Sequence, residues 1–149
     1  METIPKFLKF VNQLNAEDMH LTSQEWLSEL KFMKDEHLFF EDLVTEFTPQ
    51  LIAFNHFSNN KEIMNAIYKS QKRNDELIEE VKEHENGLQI MVDGIDQPQE
   101  EKAYRTEHKR LILTIKEVLK EYKTLKKQLF DIINSIKKEN KTRHLLNKK

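Results

Sequence analysis

The sequence predicts an all-α protein: an antiparallel up-down bundle of three long helices with coiled-coil-like heptad seams, plus a short N-terminal helix. Three observations carry this prediction. Tyr104, His108, Leu111, Ile115, Val118, Tyr122, Leu125, Leu129, Ile132 and Ile136 follow one another in alternating steps of four and three. That is the repeat of a helix laying a narrow apolar seam against partner helices. Helix-start signatures at residues 22, 59 and 96 recur at a constant spacing of 37, so the segments between them match in length. Finally, the 149 residues include only 2 Gly and 3 Pro, with 34% charged side chains, a composition of long solvated helices rather than tight turns.

In chain order, Ile4, Phe7, Leu8, Val11 and Leu14 repeat at helical spacing behind Pro5, a favourable first-turn residue, and predict a short helix over about 5–14. A polar break from Asn15 to Leu21 follows. The first long helix is expected over 23–57. It opens on Thr22-Ser23-Gln24-Glu25, a capping box in which a hydroxyl takes orphan N–H groups and Glu25 reaches back. Its seam is Trp26, Leu30, Met33, His37, Phe40, Val44, Phe47, Leu51 and Phe54. Pro49 interrupts it, and either the helix kinks there or it stops and Thr48 caps a new one.

The second long helix is expected over 60–93, capped by Asn59-Asn60-Lys61-Glu62, with the turn near Phe57 to Asn60. One row of its wider stripe is Ile63, Ile67, Ser70, Asn74, Leu77, Val81, His84, Leu88 and Met91. Gly94 follows as the left-handed residue past the last turn. The third helix is expected over 97–140, with Pro98 in its first turn behind Asp96, and leaves a basic tail over 141–149.

Composition narrows the function classes. Without cysteine there are no disulfides, thiolate metal sites or cysteine nucleophiles, which fits a cytoplasmic protein. No apolar run reaches the roughly 18 residues of a membrane span, and the N-terminus lacks the pattern of a secretory signal. The serines lack nucleophile-elbow glycines, and no Gly-rich phosphate loop is present. Residues 1–101 carry 21 acidic and 9 basic side chains, whereas 102–149 carry 5 acidic and 15 basic. Lysine outnumbers arginine there and no aromatics interleave as stacking platforms, so the basic helix reads as neutralised by acidic neighbours, with no nucleic-acid partner.

If the first hairpin folds about residues 58–59 and the second about 95–96, Trp26 lies level with Met91, and Gly87 with Tyr104. A glycine in mid-helix is then room for a ring. His37 falls level with Glu80, and His84 with Glu107 and His108. Imidazoles and carboxylates from facing helices are how bundles bind iron, manganese or zinc. The candidate metal ligands are therefore His37, Glu80, His84 and His108, with Glu41 and Glu107 as further donors. His37 to Glu41 also resembles the His-x-x-x-Glu element of hemerythrin-like bundles, although that family's remaining histidine pairs are absent here.

Against the metal stands the ordinary role of a seam histidine, a hydrogen-bonded polar residue that fixes register. No His-x-x-x-His or His-Glu-x-x-His element is present. Ser70, Gln71 and Asn74 make a second polar layer of the same kind. The leading expectation is a non-enzymatic module acting by protein association, through a protein partner or self-association. Leu27, Phe32, Phe39, Leu113 and Phe130 lie off the seams and supply a second apolar surface.

Overall fold

A computed structural model describes residues 14–49, 57–94 and 98–147. Its helices are α1 (Ala16–Glu46), α2 (Phe57–Asp93) and α3 (Pro98–Asn147), and the described residues contain no strand. The packing is bundle-like. The chain divides into two compact units, Met1–Met33 with Asn74–Val118, and Lys34–Arg73 with Leu119–Lys149, so every helix contributes to both. Among the described residues no helix is long and apolar enough to cross a membrane.

The heptad phases fix which faces are inward. In the first unit the α1 seam buries Leu30 and Met33, and it continues backwards in the same rhythm through Ser23 and Met19. Against these lie Leu77, Ile78, Val81 and Leu88 from α2, with Leu111, Ile115 and Val118 from α3. In the second unit Phe40, Val44 and Ile67 are buried with Tyr122, Leu125, Leu129, Ile133 and Ile136. Near the end of α3 it is Ile133 rather than Ile132 that is buried. The steps from Leu129 through Ile133 to Ile136 are four and then three instead of three and then four, and both keep to one helix face.

Several helix boundaries differ from expectation. Helix α1 begins at Ala16, six residues before the predicted capping box at Thr22. The cap is Asn15, whose Oδ1 accepts the backbone N–H of Asp18 at 2.8 Å. Thr22 and Ser23 sit inside the helix and donate their hydroxyls to the carbonyls of Asp18 and Met19, the alternative bond open to these side chains. Helix α1 ends at Glu46 with a turn at Phe47, and Thr48 and Pro49 are helical again, so the first helix stops before Pro49. The Thr48 hydroxyl donates back to Val44 O at 2.9 Å.

Helix α2 is already under way at Phe57, so Asn59 is helical rather than a cap and the turn does not fall at 57–60. Its end at Asp93 is as expected, but Gly94 is not left-handed. Its N–H bonds to Met91 O in a tightened last turn. Helix α3 starts at Pro98, as its proline predicts, and runs to Asn147, through most of the expected tail. The predicted short helix over 5–14 falls almost wholly outside the described residues, as do Leu51, Phe54 and Asp96.

The α1–α2 register is the largest correction. His20 meets Glu85 and Leu30 meets Asn74 in the first unit, while His37 meets Ser70 in the second. His37 therefore pairs ten positions before the expected Glu80, nearly three turns along α2. Helix α2 is already under way at Phe57, so the first hairpin does not fold about 58–59. The α2–α3 register agrees with expectation. A Cβ on Gly87 would collide with the Tyr104 ring, lying 2.7 Å from both Cε1 and Cζ.

Candidate functional site

The most unusual chemistry of the first unit is a pair of buried histidines. His84 on α2 and His108 on α3 both occupy seam positions and are 3% and 0% exposed. His84 Nε2 and His108 Nδ1 share a hydrogen bond of 3.0 Å. One ring must donate and the other accept, so the bond requires at least one of them to be neutral. Trp26 stacks on His108 with ring centroids 4.5 Å apart, and Tyr104 lies tilted 5.8 Å from His84. The remaining nitrogens, His84 Nδ1 and His108 Nε2, are buried without a hydrogen-bond partner among the described residues.

Burial sets the charge of this pair. Desolvation pushes each imidazole down to about 4, and for His108 the neighbouring His84 adds to the shift. For His84, the Glu107 carboxylate opposes the desolvation and Arg110 reinforces it. Both rings are consequently neutral near pH 7.

Beside His84 opens a cleft of about 370 Å³ lined by Glu80, Glu83, Ala103, Tyr104, Glu107 and Arg110. Arg110 holds Glu107 through both carboxylate oxygens at 2.6 to 3.2 Å and reaches Glu80 at 3.6 Å. The guanidinium hydrogen bonds keep Glu107 below the usual carboxylate range, and the same bonds raise Arg110. Two of the three cleft carboxylates thus already face an internal cation.

The second unit has its own polar group, in which His37 Nε2 and Ser70 Oγ lie 2.6 Å apart and the His37 ring is 4.8 Å from Tyr122. The Tyr122 hydroxyl donates a short bond to Glu36, which also receives Lys126 Nζ at 2.9 Å. Burial pushes Glu36 up, but the bonds from Tyr122 and Lys126 outweigh it and leave the carboxyl lowered. Burial, helped by Glu36, raises the Tyr122 phenol, so this hydroxyl stays a donor.

The predicted residues therefore separate. His84, His108, Glu107 and Glu80 gather in the first unit. His37 and Glu41 belong to the second, where Glu41 accepts a bond from Gln71 at 3.2 Å. The Ser70, Gln71 and Asn74 layer is divided likewise, because Asn74 donates to Leu30 O in the first unit. Among the described residues, no group of three or more histidine and acidic side chains is placed to hold a metal ion. Sequence reasoning missed Arg110 and Glu36 altogether. Their one signal was opposite charge three or four residues away on the helix or level with it across a seam. No protein-family model matches the chain, and no curated protein or solved structure is significantly similar to it.

Proposed function

We propose that this chain is a non-enzymatic, cytoplasmic association module, an antiparallel up-down helical bundle that works by binding protein. The observation that carries the reading is the exposure of large apolar side chains outside the seams. Phe32 is 65% exposed, Phe39 55%, Leu113 50% and Phe130 42%. In the second unit Phe39 and Phe130 both lie against buried Phe40, with ring centroids 5.9 and 5.6 Å from it. Two exposed rings on one buried ring form an apolar surface with a rigid base, the kind that aromatic anchors use at protein interfaces. The histidine pair has a supporting role in this reading. A hydrogen-bonded pair that must meet at one level favours one helix register over its slipped alternatives, as a buried polar residue does in coiled coils.

The test is the size of the native species in extract of the producing cell. The wild-type chain is expected to migrate in a species larger than one chain, and the Phe39→Glu/Phe130→Glu variant at the size of one chain. Identical migration of the two as single chains would end the reading.

A further inference from the structure

Resting on the association reading above, the distribution of charge identifies the partner. By sequence, the first unit carries 17 acidic and 9 basic side chains, net −8, and the second carries 9 acidic and 15 basic, net +6. Each unit contains pieces of all three helices. Packing the basic helix against the acidic ones therefore leaves each unit with a large charge of its own, contrary to the local neutralisation expected from sequence. The surface features repeat the asymmetry. The first unit's cleft sets Glu80, Glu83 and Glu107 against one arginine. In the second unit a groove of about 560 Å³ carries Lys137 and Lys141 beside one aspartate.

We propose that the partner is a second copy of this chain, docked so that the acidic unit of each copy faces the basic unit of the other. A nucleic acid would be attracted by the second unit and repelled by the first. An unrelated protein of one sign would match only one unit. A two-fold pair satisfies both units at once and closes on itself without leaving a sticky end. Each unit also offers apolar ground beside its charge, Phe32 and Leu113 in the first, Phe39 and Phe130 in the second. Opposite fields steer and orient the copies, and the apolar contacts hold them.

The experiment is sedimentation equilibrium of the purified full chain across a salt series, with two charge-reversed variants. At about 50 mM NaCl the mass should be that of two chains. By about 500 mM, where the screening length falls to roughly half its physiological value, the dissociation constant should rise at least about tenfold. Lys137→Glu/Lys141→Glu and Glu76→Lys/Glu83→Lys alter only exposed positions. Each variant alone should associate more weakly than wild type, because its substituted patch faces a patch of like charge on the other copy, and an equimolar mixture should recover the two-chain mass, since every substituted patch then faces one of opposite sign. A single chain at every salt and concentration overturns the proposal, as does a salt-indifferent dimer or a mixture that fails to associate. A single chain that instead binds duplex DNA assigns the basic unit to nucleic acid and also overturns it. A chain that is single when pure but part of a larger species in extract removes the second copy and leaves the association reading standing. A chain that is single in both removes both.

Discussion

Lowering the pH from 7.5 to 5 (values spanning the ordinary histidine range) should destabilise the protein by about 2 kcal/mol for each ring of the His84–His108 pair, rising to about 3 kcal/mol per ring near pH 4. Both imidazoles sit at about 4 in the folded chain, below their ordinary 6.5. Between those values the unfolded chain binds protons that the folded chain refuses. The contribution is therefore fully present above about 6.5 and is lost progressively as the pH falls towards 4. The lowered carboxyls of Glu36 and Glu107 act in the same direction, but only below their ordinary 4.5. Urea unfolding followed by circular dichroism at pH 7.5, 6 and 5 measures the loss. Against it stands His84→Gln/His108→Gln, which keeps hydrogen-bonding side chains but cannot titrate. The other histidines remain in both proteins, so the difference in slope belongs to the pair. Equal slopes would mean that the pair is not buried and neutral.

Neighbouring phenylalanines should give opposite results. Phe40 is 2% exposed and packs on Phe39, Phe130 and Tyr122. Phe40→Ala should cost about 3–5 kcal/mol, through lost burial and the cavity left behind, a large part of the roughly 5–15 kcal/mol available to a domain. Phe39 is more than half exposed. Phe39→Glu should change stability by no more than about 0.5–1 kcal/mol while removing a proposed contact with the partner. The same urea titration reads both. A costly Phe39→Glu beside a harmless Phe40→Ala would mean that the phase of α1 is wrong.

How far the fold was legible follows from these same residues. The α3 seam is an uninterrupted period bounded by Pro98, and nearly all its members are buried. The α2–α3 register was readable because it carries a size constraint, the missing Cβ of Gly87 against the ring of Tyr104. That register is what brought His84 to His108. The α1–α2 register carried no such constraint. Thr22 and Ser23 match a capping box in letters, yet their hydroxyls can equally bond one turn back, and that choice is made by tertiary packing. With the connection misplaced, His37 was matched to Glu80 and met Ser70 instead. Arg110 and Glu36 stayed hidden because heptad reading follows apolar seams, and both lie outside them.

The most direct measurement of association is a photo-crosslinking amino acid placed at position 39 in the cell that makes the protein, with a second variant carrying it at exposed Lys69 as control. Position 39 should give one discrete adduct, running as two copies of this chain, and position 69 should give none. No adduct at 39, or an indiscriminate smear at both positions, would contradict the account.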